Sequence, residues 1–266
     1  MNIKNRPLVR WAGSKTRLLP SLLEYKPQNY SRYIEPFCGS MSLFLRLAPE
    51  YSVMGDINSE LINFYKQVKK FPRQISSAVH AMPRTKEEYY VQRGRDCGSL
   101  SDFERAVRFF FLNRHCFNGV YRTNKKGAFN VPYGSKLPEV PSEQEILFFS
   151  EKIKNTEFIN SDFEVTLLSA RKDDFIYLDP PYAGTETKDR GEYGPDSFKS
   201  VDISRLGETL RSVSENGAKI LLSYASIDSI KEEFSDWNIS EVLVERSISG
   251  FARGRKKVPE VIITNY

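Results

Sequence analysis

Four apolar or aromatic residues, Phe175-Ile176-Tyr177-Leu178, run directly into Asp179-Pro180-Pro181-Tyr182. The run has the length and composition of a buried strand. Proline has no backbone N–H and fixes φ near about −65°, so two in succession end the strand and hold the backbone rigid. The carbonyl held there can only accept, and the neighbouring Asp179 is also an acceptor when ionised. A rigid polar turn at the carboxyl end of a strand is where open α/β sheets bind ligands. The plain alternative is a stiff turn that only closes the strand.

Two acceptors converging on one point suit an exocyclic amino group, and Tyr182 offers an aromatic face for a planar base. An amino group on an aromatic ring is a poor nucleophile because its lone pair is delocalised. Hydrogen bonds to Asp179 and to the Pro180 carbonyl draw the N–H bonds out of the ring plane. The lone pair then localises and can attack a methyl group held in line on a sulfonium donor, by orientation and preorganised electrostatics. A base inside a duplex reaches such a pocket only if it is flipped out. Asp179, Pro180 and Tyr182 are therefore the candidate catalytic residues.

The rest of the chain carries an α/β rhythm with one interruption. Arg32-Tyr33-Ile34-Glu35 reads as a short strand, followed by the turn Pro36 to Ser40 and an apolar helix start at Met41. Tyr51 to Gly55 reads as a second strand ended by Asp56, and Asn58 as the cap of a helix with Leu61, Ile62, Tyr65 and Val68 on one face. Asp56 falls roughly 20 residues after the turn, where dinucleotide-type folds place an acid on ribose hydroxyls. A solvated acid ending a strand is the alternative. Ser14 reads as the cap of a helix through Leu18, Leu19, Leu22 and Leu23, with Pro20 early in it.

From about 66 to 155 the chain turns basic and aromatic, with a buried helix suggested by Phe103, Val107, Phe110 and Phe111. A hairpin follows over about 117–133, turning at Asn124-Lys125-Lys126-Gly127. A basic ribbon of this kind can enter a DNA groove, and an ordinary surface hairpin is the alternative. Strand patterns return at Lys219 to Ser223, Ser240 to Val244 and Pro259 to Thr264, with a helical face at Ile203, Leu206, Leu210 and Val213. The expected architecture is an α/β sheet with helices on both faces, formed by 1–65 and 156–266 and interrupted by a mainly helical insert, 66–155, carrying the hairpin. At 266 residues the length is about 1.8 domains of ~150 residues, which fits one domain with an insert.

Composition narrows the class. With 40% hydrophobic and 27% charged residues the chain is ordinary globular protein, not disordered, collagen-like or coiled-coil. The 39 basic against 34 acidic residues are compatible with a nucleic-acid partner. Cys38, Cys97 and Cys116 form no CxxC pair, and two His (His80, His115) cannot build a His-rich site, so no metal is expected. No apolar run approaches ~18 residues and no signal-peptide pattern opens the chain, so a cytoplasmic protein without membrane contact is expected.

With these blocks in order, the chain resembles the Dam family of DNA adenine-N6 methyltransferases over nearly its whole length. Arg10-Trp11-Ala12-Gly13-Ser14-Lys15 resembles the family's N-terminal block, Glu35-Pro36-Phe37-Cys38-Gly39 its cofactor loop, and Asp56-Ile57-Asn58 to Asn63 its second cofactor segment. Leu112-Asn113-Arg114 to Arg122, with Phe129 to Gly134, resembles the DNA-reading hairpin, and Asp179 to Tyr182 the catalytic motif; the tail from Val258 to Tyr266 also fits. The resemblance implies S-adenosylmethionine as donor, held by Trp11, Lys15, Phe37, Asp56 and Asp179. Lys15 would pair with the donor's carboxylate and Asp56 with its ribose hydroxyls. Asp162-Phe163 is similar to the segment that holds the donor's adenine; for Asp162 a helix cap is the alternative.

The resemblance also implies double-stranded DNA as partner, a short palindrome, commonly GATC, as the site, and a bacterial or phage-infected cell as the setting. A restriction endonuclease counterpart is possible for such a chain. Arg122 matches the arginine that reads guanine, Val120 a smaller apolar reader, and Phe117 and Asn118 residues that wedge near the flipped base. Arg114, Lys125 and Lys126 are expected on phosphates, with Asn130 and Pro132 in the same DNA-contacting block. The chain departs from the family at Ser14 for Gly, Met41 for a second Gly, Ser135 for Arg, and Ser223-Tyr224 for Ser-Asn; 184–200 reads as a polar, mobile loop that could order over substrate.

Other readings fit less well. Gly13-Ser14-Lys15-Thr16 has phosphate-loop composition, but Ser14 separates Gly from Lys and Leu8 stands where the first Gly belongs. RNA or protein amide N-methyltransferases resemble this chemistry through an Asn-Pro-Pro-Tyr variant, whereas Asp179 stands here. A DNA-binding protein that lost catalysis would not need an intact Asp179 and Tyr182.

Overall fold

The computed structural model describes residues 5–124, 126–182, 198–247 and 255–266. Among them, seven strands form one sheet: β1 (Tyr33–Glu35), β2 (Ser52–Asp56), β3 (Thr156–Asn160), β4 (Phe175–Leu178), β5 (Lys219–Ala225), β6 (Asn238–Ser247) and β7 (Arg255–Thr264). The order across the sheet is β3-β2-β1-β4-β5-β7-β6. The first five are parallel, β7 is antiparallel to β5, and β6 is antiparallel to β7. Chain order reverses between β1 and β4, which pair through Tyr33↔Phe175 and Ile34↔Ile176. A crevice opens at such a switch point, beyond the carboxyl ends of the strands. The Rossmann-like α/β sheet expected from the sequence is the one observed.

Strand alternation divides the buried residues between two faces. Tyr33, Met54, Phe158, Phe175, Tyr177, Leu221 and Ile262 belong to one core. That face is covered by α1 (Leu19–Glu24), α2 (Ser42–Leu47), α3 (Ser59–Lys70), α4 (Pro72–Ala81), α5 (Lys86–Gly94), α6 (Asp102–His115) and α7 (Glu143–Lys152). Ile34, Val53, Ile176, Leu178, Ile220, Leu222, Val261 and Ile263 belong to the other core, under α8 (Phe163–Leu167), α9 (Ser200–Glu215) and α10 (Asp228–Glu233). The face read at Ile203, Leu206, Leu210 and Val213 is buried as expected. Among the described residues no helix is long and apolar enough to cross a membrane.

The structure corrects two local expectations, the Ser14 cap and the paired strands of the hairpin. Ser14 caps no helix: α1 starts after Leu18 with no side-chain cap, because Pro20 in the first turn has no N–H to be capped. Ser14 instead bonds Ser42 and Thr16. The boundary at 65/66 falls inside α3, and the insert's Tyr89, Val107, Phe110, Phe111 and Phe149 share one core with the sheet. Asn58 does cap α3, accepting from the Leu61 N–H at 3.0 Å. Among the described residues the hairpin forms no regular ladder, only the isolated bridges Cys116↔Tyr133 and Thr123↔Phe129. Its start is a single 3₁₀ turn with Asn118 and Gly119 at φ +53° and +69°, and Pro132 has no N–H to give a partner strand. Its turn is real: Asn124 Oδ1 accepts from the Lys126 and Ala128 N–H groups at 2.9 and 3.1 Å. Met41, where a second glycine was expected, adopts φ +58° while fully buried, so the loop keeps the left-handed backbone without the glycine. That conformation costs a non-glycine residue about 1–2 kcal/mol.

Candidate active site

One cavity of about 390 Å³ lies at the switch point. That size falls in the ~300–1,000 Å³ range of small-molecule sites. Trp11, Lys15, Phe37, Asp56, Asp162, Phe163, Asp179, Pro180 and Tyr182, separate in sequence, all line it. β4 delivers Asp179 and the two prolines, β2 delivers Asp56, and the β1–α2 loop delivers Phe37 and Gly39. Gly39 has φ +42°, and a Cβ there would lie 2.8 Å from Trp11 Cδ1, so only glycine lets the loop pass the indole. Tyr65 donates to the Gly39 carbonyl at 2.6 Å and pins that loop from beneath.

The Lys15 side chain is only 9% exposed, and its Nζ lies 3.0 Å from Asp179 Oδ1 and 3.3 Å from Glu260 Oε2. It also donates to the Tyr182 hydroxyl at 2.5 Å. An ammonium has three N–H donors, and three oxygens surround this one. Burial pushes the lysine down, but Asp179, Tyr182 and Glu260 more than offset it and hold the ammonium above its ordinary range. Lys15, expected to meet a ligand carboxylate, is held by the protein's own oxygens. Burial raises the Tyr182 phenol against the opposing pull of Lys15. Tyr224, in place of the expected Asn, is fully buried and sets its ring edge-on to Tyr182, with centroids 5.0 Å apart.

Asp56 is held without a cation. Its Oδ2 accepts from the Gly39 N–H at 3.1 Å and its Oδ1 from the Asn58 N–H at 2.9 Å. A carboxylate has about four acceptor sites, so each oxygen keeps one, and the pair suits two adjacent hydroxyls. Burial pushes the carboxyl up to about 6, against the lowering effect of those two N–H groups. Glu35, also on the cavity wall, is 3% exposed and accepts from Tyr33 at 2.9 Å. Burial drives its carboxyl well above the usual range. Asp162 caps α8, accepting from the Glu164 N–H at 3.0 Å, so the cap alternative holds alongside its place in the cavity.

The expected DNA-reading residues are less uniform. Phe117 is 48% exposed, Asn118 and Lys126 are exposed, Pro132 is exposed, and Val120 is half-buried against the core. Arg122 donates through Nε to Asn130 Oδ1 at 2.7 Å, which fixes the plane of its fork. Lys125 lies outside the described residues. Arg114 departs from expectation: it is 6% exposed and donates to the carbonyls of Leu8 and Glu139. It ties the insert to the N-terminal segment rather than reaching for phosphate. Tyr121 stacks on Trp11, with centroids 5.7 Å apart, and joins the hairpin segment to the cavity wall.

Sequence reasoning missed Glu260, Arg205 and Tyr121 as site residues. Glu260 did leave a signal, an acid inside the apolar run Val258 to Ile263. Arg205 left none, since it sits on the polar side of an amphipathic helix.

Comparison with known proteins shows the family. Residues 11–248 match the model of the D12 class N6 adenine-specific DNA methyltransferase. The type II methyltransferase M1.LlaDCHI of Lactococcus lactis subsp. cremoris is 36% identical, over 99% of this chain and 96% of its own length. The type II methyltransferase M.MjaIII of Methanocaldococcus jannaschii is 32% identical, over 98% of this chain and 99% of its own. The DNA adenine methylase of Haemophilus influenzae is 34% identical, over 98% and 93%. The crevice that gathers an acceptor pair, an aromatic ring and a buried ammonium is the candidate active site, and the relatives are methyltransferases. The chain belongs to the D12 class of N6 adenine-specific DNA methyltransferases.

Proposed function

We propose that the chain takes its methyl group from S-adenosylmethionine and places it on N6 of an adenine flipped out of a short duplex site, with GATC the expected sequence. The observation that carries this reading is the Lys15–Asp179–Tyr182 cluster at the carboxyl end of β4, beside an acceptor pair on Asp56 with two unused lone pairs. The fit to the donor rests on Asp56 for its two hydroxyls, the aromatic group of Phe37 and Phe163 for its purine, and Gly39 for close backbone approach. When bound, S-adenosylmethionine supplies an electrophilic methyl carbon whose C–S bonding pair leaves with sulfur.

The chain's own residues prepare the nucleophile. Asp179 and the Pro180 carbonyl accept from the two N6 hydrogens and localise the nitrogen lone pair. Lys15 fixes the orientation of Asp179 through an ion pair at 3.0 Å. Tyr182 stacks on the base, braced by Tyr224. As the N–C bond forms, the nitrogen gains positive charge, and Asp179 is placed to receive the proton it sheds. Arg122, its Nε taken by Asn130, keeps both terminal nitrogens for a bidentate contact with guanine O6 and N7. Phe117 and Asn118, exposed on a left-handed turn, suit a wedge at the vacated base. Lys126, and Lys125 from the sequence, suit phosphate contacts.

The test is transfer of labelled methyl from S-adenosylmethionine to duplex DNA, single-stranded DNA, RNA and protein, followed by mapping of the methylated adenines. N6-methyladenine confined to GATC in duplex DNA is the expected result. Label on RNA or on protein amides would overturn the acceptor, and methylation at another sequence would overturn the site.

A further inference from the structure

Arg205 meets both residues expected to hold the donor's purine. Its terminal nitrogens fork onto Asp162, Nη1 to Oδ1 at 3.1 Å and Nη2 to Oδ2 at 3.0 Å. The guanidinium carbon lies 4.3 Å from the centre of the Phe163 ring. Contacts to Asp202 Oδ1 at 3.0 Å and Glu164 Oε2 at 3.4 Å complete its surroundings.

Stability does not explain this arrangement. The Arg205 side chain is 40% exposed, and ion pairs in that setting contribute little. Its Nε is buried with no hydrogen-bond partner, which costs free energy. Counting acceptor sites gives a better reason. Among the described residues, Asp162 Oδ1 accepts from the Glu164 N–H and from Arg205, and Oδ2 accepts from Arg205 alone. With about four sites on a carboxylate, one remains, on Oδ2. Phe163, whose ring Arg205 covers, lies in the aromatic group of Phe37 and Phe198, with ring centres 5.4 and 6.0 Å away.

We infer that Arg205 is a positioning and specificity residue of the donor site. It aims the last acceptor site of Asp162 at one N–H of an exocyclic amino group and holds the Phe163 ring as the platform for the purine. The cavity thereby distinguishes a 6-amino purine from a 6-oxo purine, which would set a carbonyl against the carboxylate. This rests on the reading that the cavity takes S-adenosylmethionine.

The experiment is equilibrium titration of the full-length protein, wild type, Arg205→Lys and Arg205→Ala, with S-adenosylhomocysteine and with S-inosylhomocysteine. Wild type is expected to favour the adenosyl compound by about tenfold or more, as sites that recognise a polar group by hydrogen bonding do. Arg205→Ala should narrow that ratio to about twofold, with Arg205→Lys, which keeps charge but loses the fork, in between. In methyl transfer, Arg205→Ala should raise KM for S-adenosylmethionine about tenfold and lower kcat less than about threefold, because the lost contact serves binding rather than the reacting atoms. An unchanged adenosyl-to-inosyl ratio in both variants overturns the role. Failure of the wild type to bind either compound would overturn the donor reading itself, and the inference with it.

Discussion

Lys15 and Arg205 each gather carboxylates at the edge of the same cavity, one out of water and the other partly in it. Lys15 is 9% exposed and faces Asp179 and Glu260, the latter 1% exposed. Arg205 is 40% exposed and faces Asp162, Glu164 and Asp202 at 36%, 43% and 19%. Removing one partner of a buried pair leaves a charge that water cannot reach, whereas half-exposed pairs are screened. Two ion pairs at Lys15 therefore carry more weight than three at Arg205: structural and electrostatic in the first case, directional in the second. Asp56 is a third case, a half-buried carboxylate steadied, among the described residues, by two backbone N–H groups.

The contrast is sharpest for Lys15→Met. It strands two carboxylates and should destabilise folding by about 3–5 kcal/mol, read from the denaturant midpoint. Adding Glu260→Gln should recover part of that loss; equal midpoints for the single and double variants would show that Glu260 does not share the ammonium. Asp179→Ala should lower methyl transfer by about 10²–10³-fold or more, with DNA affinity largely kept. Transfer at the wild-type rate removes Asp179 from the chemistry.

Arg122→Ala should cost about 1–3 kcal/mol of discrimination at one guanine, seen in the methylation pattern on substituted sites. For Asp56 the sign follows from burial. Its carboxyl titrates near 6 instead of in the ordinary range, so the ionised form, the better acceptor for hydroxyls, prevails only above that pH. KM for S-adenosylmethionine should be flat near neutrality and rise as pH falls through about 6; Asp56→Asn should bind more weakly and lose that bend. Folding stability runs the other way, lost as pH climbs from the ordinary carboxylate range to about 6, because the folded state prefers the neutral acid. The smallest effect is on folding in Arg205→Ala, whose midpoint should move by under ~1 kcal/mol. A shift as large as that of Lys15→Met would erase the distinction between the two clusters.

Much of this was legible along the chain. The strand before Asp179, the Asn58 cap and the Ile203-to-Val213 face follow from local pattern, and the structure keeps each. Asp56, Asp162 and Asp179 on the cavity wall could be named because each sits at or just beyond a strand end. What the sequence hid depends on contacts between distant segments. Arg114 looks like any basic residue until Leu8 and Glu139 take its nitrogens. Glu260 gains its meaning only because β7 brings it beside Lys15. The hairpin reads as two strands from composition, yet Asn118, Gly119 and Pro132 deny it a regular ladder.

The apolar interior that runs unbroken from Met54 and Phe158 of the sheet to Tyr89, Phe110 and Phe149 of the basic region has an evolutionary corollary. On the proposed reading, in which this region meets the DNA, a reading head rooted in its scaffold's own interior cannot be exchanged wholesale for another, since excision would open the scaffold to water. Changes of target would then come through replacements on the outer turn, around Arg122 and Asn130, while the foundation stays put.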